Sequence, residues 1–194
     1  MARYVPRRWM LFVDGENLTI RAQALLKERA IEFPAESDYY RRDCFVWPWG
    51  KASKLPNSFP FNEPLPARSF YYTSLFGDDK LIRLVKEQLW ALEFEPHVFK
   101  KVSREERAKG VDIALTKDML SHAFRGNYEM AQLFAGDGDY VLLIEEVKRL
   151  GKSVSVCFMK EYTNPELRLA ADRFMDITEW IVRLSREQAR ASES

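Results

Sequence analysis

The sequence predicts an α/β fold: a mainly parallel sheet of five strands, with helices on both faces and the strand order 3-2-1-4-5. Three observations carry that prediction. Short apolar runs of strand character alternate with stretches of helical periodicity along most of the chain. Two of those runs end directly in acid-bearing turns, Asp14-Gly15 and Gly136-Asp137-Gly138-Asp139. The length of 194 residues fits one domain at roughly 150 residues each, with room for an embellishment.

The elements follow in order. Residues 1–8 form a basic N-terminal tail, and the domain proper spans 9–184. The run at 9–13 (WMLFV) reads as a buried strand and is too short for a signal peptide. From Leu18 to Ala30, Leu18, Ala22, Leu25 and Leu26 recur at helical spacing. Residues 33–66 hold six of the nine prolines, together with Trp47, Trp49, Phe59 and Phe61. This composition predicts an extended surface insertion rather than a central strand or long helix.

Regular structure resumes with a strand at 68–74 and a helix capped by Asp78-Asp79, whose Leu81, Val85, Leu89 and Leu92 share a stripe. A strand at 96–100, a charged loop at 102–110 and a helix at 111–125 follow. The chain then gives a strand at 130–135, a helix at 139–150 ended by Gly151, and a last strand at 153–158. Residues 165–184 read as helix, broken near Asp176, and 185–194 as a frayed C-terminal tail.

Composition excludes several chemistries. Cys44 and Cys157 match no zinc-ligand spacing, and two scattered cysteines fit a reducing, cytoplasmic setting. His97 and His122 lack a triad context and read as structural. No run approaches the roughly 18 apolar residues of a membrane helix, so no membrane partner is expected. Carboxylates are the remaining candidates for chemistry.

In the predicted topology, ligands bind beside the carboxyl ends of the first and fourth strands. FVDGEN and FAGDGDY end those strands and place Asp14, Asp137 and Asp139 there, with Asn17 beside them. Singly, each acid reads as a turn former or helix cap. Together they repel unless a cation or strong donors offset them, and a hard ion such as Mg²⁺ or Mn²⁺ accepts oxygen ligands of this kind. KGVDIALTKDML supplies Asp112 at the edge of its helix's buried stripe. Asp118 falls near the centre of that stripe, which demands a partner and favours a structural or supporting role.

FVDGEN, KGVDIALTKDML, FAGDGDYVLLIEEVKRLGKSVSV and LRLAADRF together resemble the NYN domain of the LabA/DUF88 type, a branch of the PIN-like nucleases. The resemblance implies a Rossmann-like, three-layer α/β/α domain whose acidic pocket binds metal and cleaves RNA to 5′-phosphate and 3′-hydroxyl ends. It places the metal-binding and catalytic acids at Asp14, Asp112, Asp137 and Asp139, with Mg²⁺ or Mn²⁺ as cofactor. Ala135 and Tyr140 depart from the family's usual Ser and Phe.

A basic rim should admit the polyanion. Arg41, Arg42, Lys51, Lys54, Lys100, Lys101, Arg104, Arg107 and Lys109 lie in expected loops, with Lys109, just before Asp112, placed to reach substrate. Tyr39, Tyr40, Trp47 and Trp49 either stack unpaired bases, as for RNA of single-stranded character, or pin the insertion or a homodimer contact.

The leading functional expectation is a metal-dependent ribonuclease. The alternative is a non-catalytic RNA-binding or regulatory module of the same fold. A phosphatase of the haloacid dehalogenase type fails because Glu16 stands where a second Asp is required. The balance of 30 Lys+Arg against 29 Asp+Glu then conceals a segregation, with acids drawn into one pocket and basic residues in excess elsewhere.

Overall fold

Six parallel strands, in the order β5-β4-β1-β6-β7-β8, form the central sheet. A computed structural model describes residues 8–52, 65–103 and 110–184. The elements run β1 (Trp9–Asp14), α1 (Gly15–Glu28), β2 (Tyr40–Arg41), β3 (Phe45–Val46), β4 (Arg68–Leu75), α2 (Asp79–Ala91) and β5 (Glu95–Lys100). They continue with α3 (Gly110–Phe124), β6 (Met130–Phe134), α4 (Val141–Arg149), β7 (Ser153–Phe158), α5 (Pro165–Ala170) and β8 (Arg173–Asp176). Residues 1–7 of the N-terminal tail, the C-terminal tail at 185–194, Lys54, Arg104, Arg107 and Lys109 lie outside the described residues. Among those that are described, no helix is long and apolar enough to cross a membrane.

β1 lies in the middle because its side chains are apolar on both faces. Trp9, Leu11 and Val13 pack under α1, α2 and the helical residues 178–184, while Met10 and Phe12 pack under α3, α4 and α5. By the same alternation Asp14 points to the α3 face. The result is the α/β/α sandwich that the sequence predicts, with one strand more than the five expected.

The extra strand is β8. The C-terminal helix expected over 165–184 is instead a capped turn and a half, a strand and a second helix. Asn164 accepts the Glu166 N–H (2.8 Å) and Pro165 starts α5, which ends at Ala170. Asp172 then accepts the Val154 N–H (2.7 Å) and docks β8 beside β7. Asp176 caps the following helix by accepting the Thr178 N–H (2.9 Å). Only four residues long, β8 is too brief to display a period of two, and its charged Arg173 suits an edge.

The insertion also differs from expectation. Residues 40–52 do not form a surface excursion. β2 and β3 make an antiparallel hairpin that covers the α1 face, with Trp47 and Trp49 only 0% and 7% exposed. Tyr71 stitches this hairpin to the sheet: its hydroxyl donates to the Val46 carbonyl (3.0 Å) and accepts the Val46 N–H (3.2 Å). Thr73 donates to the Cys44 carbonyl (2.9 Å). Edge-on contacts of the Trp47 ring with Trp49, Phe94 and Phe134 complete the packing. Among its described aromatics, Tyr40, Phe45, Trp47 and Trp49 belong to the core.

Candidate acidic site

The carboxyl ends of β1 and β6 meet where the topology reverses direction, which is where ligand sites form in such sheets. Asp14 ends β1 and caps α1, its Oδ1 accepting the Asn17 N–H at 2.9 Å. The Asn17 side chain reaches across to accept the Gly136 N–H at 3.1 Å and ties the two strand ends together. Gly136 is required there: a Cβ would stand 2.5 Å from both the Phe158 ring and the Tyr162 carbonyl.

Asp112, on the first turn of α3, faces Asp14 through Tyr140. The Tyr140 hydroxyl lies 2.9 Å from Asp14 Oδ2 and 2.9 Å from Asp112 Oδ1. A hydroxyl has one proton, so it can donate to only one of the two carboxylates. The second contact is satisfied when the other carboxyl carries a proton or when a cation lies nearby.

Electrostatics favour the protonated form of both acids. Burial pushes the Asp14 carboxyl up to about 7, with the charges of Asp112 and Glu16 adding to the effect, against the Asn17 and Tyr140 hydrogen bonds that lower it. Asp112 is raised as well, chiefly by burial and then by the charges of Asp137, Glu16 and Asp139. Burial and the two neighbouring carboxylates hold the Tyr140 hydroxyl protonated.

Of this pair Asp14 is buried and Asp112 exposed, and Asp137 and Asp139 stand outside it. Both are exposed, and Asp137 turns back to accept the Asp139 N–H (3.1 Å) at the start of a 3-10 turn, Gly138–Tyr140. Among the described residues, no three His, Cys, Asp or Glu side chains are close enough together to hold a metal ion as they stand. The four acids share a field rather than a set of contacts, and all their donors are oxygens.

The other candidates scatter. Asp118 accepts the Tyr72 hydroxyl (3.1 Å) and lies 3.9 Å from His97 Nε2, so its partners are those of the α3–β4–β5 packing. Arg41 donates to Glu36 (2.5 Å) and Gln88 (3.0 Å), while Arg42 packs over the Phe33 ring at 5.0 Å. Lys51 pairs with Glu93 and Lys100 with Asp79. Lys101 pairs with Glu16, both side chains largely buried. Tyr40, Trp47 and Trp49 are in the core, which removes them as stacking platforms and leaves Tyr39 exposed.

Two contributors escape sequence reasoning. Glu16 was visible in FVDGEN as a residue but not as a neighbour of the acids. Tyr140 stood out as a departure from Phe, yet nothing in a linear sequence reveals where its hydroxyl points.

A parallel α/β/α sheet with acids converging at its switch point defines the PIN-like class of domain. The NYN domain family model matches residues 8–178, and the chain belongs to that family. It is also similar in fold to a crystal structure of a protein of unknown function from Vibrio parahaemolyticus. That likeness has a TM-score of 0.63 at 21% identity and covers 91% of this chain and 96% of the other. No curated protein matches the sequence.

Proposed function

We propose that this protein is a metal-dependent ribonuclease that hydrolyses RNA phosphodiester bonds at the acidic site. One observation carries the reading: Asp14, buried at the switch point, is held against Asp112 through a single hydroxyl. Two carboxyls in this arrangement cost stability, and such strain persists where function requires it.

The donor set fits a hard divalent cation, because every candidate ligand is a carboxylate oxygen. Asp14, Asp112, Asp137 and Asp139 are the residues that would hold Mg²⁺ or Mn²⁺. When bound, such an ion supplies an activated water and offsets charge on the leaving oxygen. The chain's own residues orient the site. Asn17 fixes the β6 turn, Tyr140 sets the spacing of Asp14 and Asp112, and burial excludes competing water around Asp14. Arg42 contributes positive charge on the approach.

The test is cleavage of labelled single-stranded and hairpin RNA with Mn²⁺, Mg²⁺ or EDTA, beside Asp14→Asn and Asp137→Asn. Cutting should require metal and fall at least a hundredfold in each variant. Cutting that survives EDTA or either substitution sinks the proposal. RNA binding without metal-dependent cutting would favour a non-catalytic module of the same fold.

A further inference from the structure

A cleft of about 360 Å³ opens between α1, the β2–β3 hairpin and the end of β4, within the roughly 300–1,000 Å³ typical of small-ligand sites. It adjoins the acids: Glu16, two residues beyond Asp14, lines it, and its charge is felt by both Asp14 and Asp112. Three features of its wall bear on what it could hold.

The first is Phe76, a large apolar side chain left 50% exposed at the rim. Its turn is firmly mounted, since Asp78 accepts the Leu81 N–H (2.8 Å) and a Cβ on Gly77 would fall 2.6 Å from Leu81 Cδ2. The second is the Glu16–Lys101 pair, set into the wall with side chains 16% and 11% exposed. The Lys101 N–H is pinned to the Leu75 carbonyl (2.9 Å), and an ammonium has three donors, more than Glu16 alone can use. The third is Arg42 at the mouth, steadied over Phe33.

An aromatic face, two cations and a carboxylate acceptor within one small cleft match the parts of a nucleotide: base, phosphate and polar edge. A purely aliphatic ligand would desolvate the Glu16–Lys101 pair without repayment. A bare phosphate ion would leave Phe76 unused.

We propose that this cleft receives one unpaired nucleotide of the RNA strand, its base stacked on Phe76 and its phosphate turned to Lys101 and Arg42, next to the scissile bond. The position of the scissile bond rests on the nuclease reading above; the cleft itself does not. Glu16 offers the base edge an acceptor, and the exposed Ile20 extends the apolar rim opposite.

The test is fluorescence anisotropy of a labelled ten-nucleotide single-stranded RNA in EDTA, with the full chain as wild type, Phe76→Ala and Phe76→Trp. Adenosine 5′-monophosphate and a duplex of the same sequence serve as competitors. Aromatic–base stacking predicts a five- to hundredfold weaker Kd for Phe76→Ala, on the order of 1–3 kcal/mol, and recovery in Phe76→Trp. The mononucleotide and the duplex should each compete much more weakly than the unlabelled strand. Equal affinity of wild type and Phe76→Ala overturns the proposal, as does a mononucleotide that competes as well as the strand. Because no metal is present, the two readings fail separately. Phe76-sensitive binding without cleavage removes only the catalysis, and cleavage with Phe76-indifferent binding removes only the cleft.

Discussion

Replacing Asp14 by Asn should abolish cleavage and yet stabilise the metal-free fold. Asp14 is 3% exposed, and its pKa is raised from 3.8 to about 7. A raised carboxyl binds its proton more tightly in the folded chain than in the unfolded one, so stability falls as pH rises. The loss begins near the unfolded value, is complete above about pH 7, and is absent below about pH 4. At ~1.4 kcal/mol per pKa unit, the ionised carboxylate costs ~4 kcal/mol at alkaline pH. An asparagine keeps the architecture: its Oδ1 still accepts the Asn17 N–H, its amide donates to the Tyr140 oxygen, and Tyr140 then donates to Asp112 alone. Burial of the neutral amide offsets part of the gain and leaves ~2 kcal/mol, or ~4–8 °C in Tm for a chain of this size. The assay is thermal unfolding in EDTA near pH 8 and near pH 4.5. The variant should melt higher near pH 8, and most of that advantage should vanish near pH 4.5. A variant that melts lower near pH 8, or by the same margin at both pH values, would refute the argument that a buried carboxylate is being held against its preference.

Further consequences follow from particular contacts. Tyr140→Phe removes the donor that bridges Asp14 and Asp112 and should cost ~1–2 kcal/mol in urea unfolding at neutral pH without added metal. Trp47→Ala hollows the aromatic cluster under the hairpin and should cost ~3–5 kcal/mol by the same measurement. A purely surface hairpin would instead lose under ~1 kcal/mol. Gly15→Ala puts a Cβ 1.9 Å from the Tyr71 ring and should leave little folded protein on circular dichroism, because Tyr71 is locked between Val46 and the sheet.

How far the sequence predicts the molecule depends on how local each signal is. β1, β4, β6 and β7 are short, largely apolar runs buried along almost their whole length, and helical spacing recurs between them, so element order and parallel topology follow from pattern alone. β8 breaks the pattern because a four-residue edge strand between two helices carries no period of its own. The hairpin at 40–52 is hidden for a different reason. Proline content describes where a segment cannot be regular, and it says nothing about where aromatics such as Trp47 are buried. The strand ends and their acids are legible because topology fixes which ends are neighbours. Tyr140 bridging Asp14 and Asp112, and Lys101 paired with Glu16, depend on side-chain direction in three dimensions. The basic rim shows the same limit, since Arg41, Lys51, Lys100 and Lys101 each pair with an acidic residue.

A divalent-cation centre built from these acids must bind its ion through Asp14. Isothermal titration of the full chain with Mn²⁺ near pH 7, in buffers of different ionisation enthalpy, tests it most directly. Because Asp14 is partly protonated there, binding should release protons and the heat should vary with buffer. Asp14→Asn should lose both the binding and the proton release. Binding that is unchanged in Asp14→Asn, or no binding by the wild type at millimolar Mn²⁺, would contradict the account.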